Sequence, residues 1–399
     1  MPKIAKTSKC IVAGMLAALS VFSITACTSE GSSADTPSQA QTANTQPEKT
    51  YQVDTLRMAA YGGDRGGPNP FLQKSGGPAD QKVRYIFDSL LNEGTKELDP
   101  WLAESYSVDG NVYTFKLHQD AMWHDGEKVT ADDVAFTVNY YQKHTPTSQL
   151  IFSGDYNNLT AKVLDEYTVQ ITANENDSTV LGFIGSMFIL PQHIWESVED
   201  PLTFTDEKAY VGCGMYKFNS YDPTTGAYSY IAFDDYYGPK VAAREIDFVP
   251  VSDELLAFEN GEIDLAGISA DLAEEYGKKD GVGIISKDDD MIYQIYLNHE
   301  KVPEFADFEV RKAIYQAIDR ESIVQNIWRG YGTVTGAGLI SPTNTRFYTD
   351  EVEQYDYDVE AARKVLEGKN ISFTLTCPES YTGMAEIVKK TLTEIADRH

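Results

Sequence analysis

The pattern of apolar and polar positions divides the chain into three stretches. Residues 11–22, Ile-Val-Ala-Gly-Met-Leu-Ala-Ala-Leu-Ser-Val-Phe, are apolar almost without a break and follow a basic opening of Lys3, Lys6 and Lys9. Residues 28–49 carry no hydrophobic period and no aromatic side chain. From Tyr51 onward the spacing alternates between the periods of a strand and of a helix. Gln52–Ala60 reads as a strand, with its alternation best over Val53, Leu56 and Met58, and it runs into Gly- and Pro-rich loops at 61–70 and 75–78. Ala79–Leu91 predicts a helix with Val83, Ile86, Phe87, Leu90 and Leu91 on one face. Asn111–His118 alternates as a strand, and Asp125-Gly126 marks a turn. Thr130, followed by Asp132 and Asp133, predicts a helix start leading through Tyr141. Strands are expected at Tyr167–Thr172, Ile246–Val251, Asp264–Ile268 and Met291–Leu297, with helices at Asp253–Glu259 and Phe308–Ile318. Met384–His399 is amphipathic, with Met384, Val388, Leu392 and Ile395 in helical register. No repeat of 20–50 residues is visible, so the mixture predicts an α/β chain with several sheets.

Composition narrows the class. A length of 399 residues suggests two or three domains of about 150 residues each. The 42% hydrophobic and 12% aromatic content belongs to a folded chain. Thirty-three Lys and Arg against 61 Asp and Glu give a net charge of −28 without any basic cluster. That excludes phosphate-driven nucleic-acid binding and electrostatic adsorption to anionic lipid. Four Cys are too few for a disulfide scaffold.

The amino-terminal stretch changes the picture most. The apolar run is short for a membrane span and suits the h-region of a signal peptide. It ends in Ile24-Thr25-Ala26-Cys27, which resembles a bacterial lipobox, where cleavage before the Cys leaves it lipidated. An ordinary signal peptide or an uncleaved anchor is the alternative. Several acyl chains on Cys27 would make anchoring stable where one is marginal. Residues 1–26 are therefore expected to be a lipoprotein signal peptide, whose removal takes the charge to −31. Residues 27–50 are expected to form a disordered tether with a reach of about 25–30 Å. The globular body would then stand outside the cytoplasm, tied to a membrane face.

Signs of catalytic chemistry are sparse. The six His show neither an HExxH pattern nor a close pair at helical spacing, and satisfied histidines outweigh ligands as a reading of His118 and His124. There is no CxxC; Cys213 and Cys377 read as structural thiols or one long-range disulfide. Gly212-Cys213-Gly214 lacks the flanks of a nucleophile elbow. Asp288-Asp289-Asp290 lacks the Gly and distal Glu of a calcium loop and reads as a solvated turn. No enzyme, metal site or cofactor is expected.

Four segments in order resemble the extracytoplasmic solute-binding proteins of ABC importers, in the oligopeptide/dipeptide/nickel-binding group known as family 5. The first is Tyr113–Phe136, with its strand, Asp125-Gly126 turn and Thr130-Ala-Asp-Asp-Val helix start. His118 departs from the Arg or Lys usual there. The second is Leu190–Trp195 followed by Val211-Gly-Cys-Gly-Met-Tyr-Lys217, where Cys213 and Met215 replace the Thr and Pro common in the group. The third is Tyr236–Lys240 leading to Asn260–Asp264, and the fourth is Tyr293–Asn298 followed by Phe308–Ile314 and Ala317–Arg320.

The resemblance implies an α/β fold of the periplasmic-binding-protein type II class, two-lobed with an extra inserted domain. The first lobe would be discontinuous (51–79 and 182–292), the middle domain would occupy 80–181, and the second lobe 293–399. Family members run longer, so the second lobe is expected to be incomplete. The implied activity is binding of an oligo- or dipeptide in the inter-lobe cleft for delivery to the permease subunits, by a monomer without cofactor. Nickel chelates or oligosaccharides would suit the same fold. A surface-anchored hydrolase, or a sensing or adhesion lipoprotein, are the readings from other classes. Cleft positions carried over are Ser75, Gly76 and Gly77, where glycine permits close backbone approach, then Cys213 and Gly214, then Tyr293 and Gln294 at the lobe crossing. Their plain alternatives are a flexible loop, a tight structural turn, and a hinge strand packed in the core.

Overall fold

The computed structural model describes residues 51–60, 67–72, 82–93, 97–144, 159–174, 179–287, 291–336 and 338–396. The readings of the signal, Cys27, the tether, Ser75–Gly77 and Asp288–Asp290 lie outside these residues.

Ten strands are formed among the described residues: β1 (Val53–Ala59), β2 (Leu91–Glu93), β3 (Leu98–Pro100), β4 (Ala103–Asp109), β5 (Val112–Leu117), β6 (Thr160–Asp165), β7 (Thr168–Thr172), β8 (Tyr216–Tyr221), β9 (Tyr228–Ala232) and β10 (Ala243–Val249). One four-stranded sheet has the order β1-β10-β9-β8. Its β1–β10 pair is parallel, with Leu56 opposite Ile246 and Met58 opposite Phe248, while the other pairs are antiparallel. A second four-stranded sheet, β4-β5-β7-β6, is antiparallel throughout. The alternation of β5 turns Tyr113, Phe115 and Leu117 inward, where Val169 and Ile171 of β7 meet them. The Asp125-Gly126 turn forms as expected, with Gly126 at φ +96°, a backbone conformation glycine adopts without penalty.

Helix α1 (Ala131–Lys143) starts where the sequence places it. The amide and hydroxyl of Thr130 both donate to Asp133 Oδ2, at 2.8 and 3.1 Å. The other oxygen, Oδ1, accepts from the amide of Gln192 at 2.9 Å. One carboxylate thus caps a helix and ties it to the Leu190–Trp195 segment. One continuous apolar cluster runs from Phe71 to Phe248 and draws on both four-stranded sheets. Trp123 and Trp195 are fully buried in it. The bidentate Arg57–Asp264 pair, 2.6 and 3.0 Å, lashes β1 to the chain following helix α2 (Glu254–Glu259).

The carboxyl-terminal third carries helices α3 (Phe308–Ala317), α4 (Arg320–Asn326), α5 (Val359–Leu366) and α6 (Thr382–Ala396). Val388 and Ile395 of α6 are buried and Leu392 packs beside them, as the amphipathic register requires. These helices gather apolar clusters of their own, separate from the large one.

Three expectations are corrected. Among the described residues of 79–91 only a single helical turn forms, at 82–84. Val83, Ile86, Phe87, Leu90 and Leu91 are all buried, but the turn closes on the Val83 carbonyl, which accepts from the Ile86 and Phe87 amides at 2.9 Å, and the carbonyls of Tyr85, Ile86, Ser89 and Leu90 are spent on neighbouring segments rather than on a helix. Met291–Leu297 forms no ladder with any described residue, because a strand is made by its partner and not by its own alternation. Asp264–Ile268 makes only one bridge, Leu265 to Met58.

Candidate functional site

The residues singled out from the sequence fall into two places. Cys213 and Gly214 lie in a turn pressed onto the backbone of Tyr85 and Ile86. The amide of Gly214 donates to the Ile86 carbonyl at 2.8 Å, and that of Tyr216 to the Tyr85 carbonyl at 3.0 Å. A Cβ on Gly212 would stand 2.0 Å from the Ile86 oxygen, and one on Gly214 would stand 2.7 Å from the Tyr85 oxygen. Only glycine fits at either position.

His124 locks the turn from the other side. Its amide donates to the Gly212 carbonyl at 2.8 Å, its Nε2 lies 2.9 Å from the Gly214 carbonyl, and its Nδ1 accepts from the Gly212 amide at 3.3 Å. A carbonyl at Nε2 and an amide at Nδ1 require the neutral Nε2–H tautomer. Burial agrees, pushing His124 down to about 4. The Cys213 side chain has no exposed surface, burial raises its thiol well above the usual range, and it forms no disulfide. Beside it Asp88, also buried, accepts from Tyr237 Oη at 2.7 Å, yet burial still raises its carboxyl to about 6. This turn is a packed junction.

Tyr293 and Gln294 lie elsewhere, in an aromatic group that faces solvent. Tyr293 is 43% exposed; its ring centroid stands 5.2 Å from Trp328, tilted 40°, and 5.2 Å from Tyr381, edge-on at 88°. Gln294 Nε2 donates to Tyr296 Oη. Trp328 is presented just beyond α4 by a left-handed pair, Arg329 at φ +51° and Gly330 at φ +85°, closed by a 2.8 Å bond from the Tyr331 amide to the Trp328 carbonyl. A non-glycine residue held in that region is strained. Tyr381 leads into α6, where Gly383 lets Ile327 approach. Asp271, on the chain after α2, is held below the usual carboxylate range chiefly by the Ser269 hydroxyl, with the Arg329 charge adding to it.

The sequence singles out Tyr293 and Gln294 but not Trp328 and Tyr381, which the fold brings beside Tyr293. The available signal was Trp328-Arg329-Gly330, an aromatic residue directly before a turn at a helix end. Among the described residues no group of three His, Cys, Asp or Glu is placed to hold a metal ion. No helix among them is long and apolar enough to cross a membrane. A depression of about 420 Å³ beside β8, lined by Thr205, Glu207, Tyr210 and Phe218 among others, shares no residue with either place.

Comparison with known proteins supplies the frame for these two places. Residues 97–394 match the family described as bacterial extracellular solute-binding proteins, family 5 Middle. The heme-binding protein A of Haemophilus influenzae is 25% identical over 336 residues, covering 75% of this chain and 59% of that protein. The dipeptide-binding protein of Escherichia coli is 27% identical over 348 residues, covering 80% of this chain and 64% of its own length. The chain thus spans about three-fifths of the length of these curated relatives. The crystal structure of the ABC transporter substrate-binding protein CtaP from Listeria monocytogenes superposes with a TM-score of 0.71 at 26% identity, covering 87% of this chain and 72% of that one.

Proposed function

Because this chain belongs to the bacterial extracellular solute-binding proteins of family 5 and has their two-lobed α/β fold, we propose that it is the receptor of an ABC importer, holding a peptide between its lobes for delivery to the permease. The family match across 97–394 carries this reading. Tyr293 and Gln294, with Trp328 and Tyr381 beside them, form the proposed ligand wall of the second lobe. Exposed aromatic rings offer large, rigid contact area at low entropic cost, which suits a receptor that closes on its solute. Ser75, Gly76 and Gly77 are the proposed backbone contacts on the first lobe. Cys213 and Gly214 are assigned to the junction rather than to the ligand, since the thiol is wholly enclosed.

The receptor is proposed to be non-catalytic and held at the membrane through a lipidated Cys27, with the permease as its macromolecular partner. The proposed first lobe takes residues 51–79 and 182–292, the proposed middle domain 80–181 and the proposed second lobe 293–399. A second reading, a planar solute such as haem, is favoured by the heme-binding relative together with the exposed ring cluster.

Titration calorimetry separates the two. Binding of di- to pentapeptides, weakened about tenfold or more by Trp328→Ala, is the expected result. Binding of haem alone would favour the second reading, and hydrolysis of the peptide would overturn both. Cys27→Ser is expected to release the protein from membranes into the soluble fraction.

A further inference from the structure

Tyr293, Trp328 and Tyr381 come from three segments far apart in the chain, yet all three segments are anchored in one apolar cluster. Leu297 anchors the first, Ile323 of α4 the second, and Val388 and Leu392 of α6 the third, around Val310 and Ile314 of α3. Ile327, beside Trp328, also closes on Gly383, two residues beyond Tyr381; a Cβ there would stand 3.1 Å from Ile327 Cδ1. Rings carried on a shared core hold their mutual angles before any ligand arrives.

Those angles select a shape. Trp328 is tilted by 40° and Tyr381 stands at 88° to Tyr293, each with its ring centroid 5.2 Å away. Walls at such angles make a corner, and a flat solute can lie on only one of them at a time. A compact group fits a corner better. Ring faces carry negative charge density, so the compact group they attract is a cation. The chain holds cations of its own in this way: Lys279 Nζ lies 3.6 Å from the Tyr276 ring centroid, and Arg320 Cζ lies 4.1 Å from that of Tyr315. The surroundings favour the same sign. Glu379 is exposed on the turn that ends in Tyr381, and the charge of Arg329, next to Trp328, is partly answered by Asp271. A net charge of −28 draws cations toward the whole surface.

We propose that Tyr293, Trp328 and Tyr381 form an aromatic cage for an ammonium or guanidinium group of the solute, with Trp328 supplying the strongest face. That the cation belongs to a peptide rests on the receptor reading; the cage does not.

Titration calorimetry on the full chain reads the cage with four tripeptides: Ala-Lys-Ala and its norleucine counterpart, each with a free and an acetylated amino end. The charged member of a pair is expected to bind about tenfold more tightly than its neutral counterpart. Trp328→Leu is expected to abolish that preference, and Trp328→Phe, which keeps a ring with a weaker face, to reduce it. A lysine preference that survives acetylation assigns the cage to a side-chain cation, and a preference for the free amino end assigns it to the α-amino group. Equal affinity for all four peptides, or a loss in Trp328→Leu that is the same for all four, would overturn the proposal. If no peptide binds, tetramethylammonium is the probe. A saturable change in tryptophan fluorescence, absent in Trp328→Leu, keeps the cage and sinks the peptide-receptor reading alone; no change sinks both.

Discussion

Asp88 and His124 abut the same Gly212–Gly214 turn and titrate in opposite senses. Burial lifts Asp88 from an ordinary 3.8 to about 6, so between those values the folded chain holds more protons than the unfolded one. Stability from this group is full at low pH and falls as pH rises through that window. Burial drops His124 from 6.5 to about 4, so there the unfolded chain holds more protons and stability rises with pH. Each amounts to about 3 kcal/mol, and together they nearly cancel. Asp88→Asn is expected to leave a chain that gains stability between pH 4 and 6.5, and His124→Gln one that loses it, read from urea midpoints across that range. A common slope for both variants and the parent would refute the cancellation. Gly212→Ala is expected to cost about 1–3 kcal/mol or more, because its Cβ meets a backbone carbonyl that cannot rotate away; a melting temperature within a degree of the parent would contradict it. The Gly-Cys-Gly turn stands out in the sequence. Its partner does not, because Ile86 lies more than a hundred residues upstream.

At the scale of elements, local chemistry and helix caps agree closely. Thr130-Ala-Asp-Asp133 starts α1, and Asp253, Asp307, Asp319 and Asp358 each cap the helix that follows with a side-chain oxygen. These are short-range bonds, so they are written in neighbouring residues. Asp133 does more than cap, since it also holds the Gln192 amide. Asp133→Ala is expected to destabilise by about 1–3 kcal/mol for each donor left unpaired within the fold, and Asp133→Asn by less, since its amide oxygen still accepts; chemical denaturation ranks the two. Equal losses would mean that the cap alone matters. The segment after Val83 shows the opposite case. Val83, Ile86, Phe87, Leu90 and Leu91 fit one helical face, yet beyond the turn that closes on Val83 the backbone bonds instead to Gly214, Tyr216, Leu102 and Ala103. Apolar spacing over so short a run suits either state, and burial on every side lets tertiary contacts choose. Met291–Leu297 has a strand's alternation but no ladder for the same reason.

Across the whole molecule the apolar interior is divided. One cluster spans Phe71 to Phe248, and smaller ones unite α3, α5 and α6. Separate cores need not unfold together. Ile314→Ala, at about 2–5 kcal/mol, is expected to lower one of two thermal transitions, and Phe115→Ala the other; a single transition shifted by both would show one cooperative unit. The α/β class, the family resemblance and the starts of α1, α2 and α3 were legible in the sequence, because periodicity, caps and motifs depend on neighbours within a turn or two. The parallel β1–β10 pair, the burial of Cys213 and the meeting of Tyr293 with Trp328 and Tyr381 were not. Each depends on segments far apart in the chain, and only the packed fold selects which of many compatible partners is met.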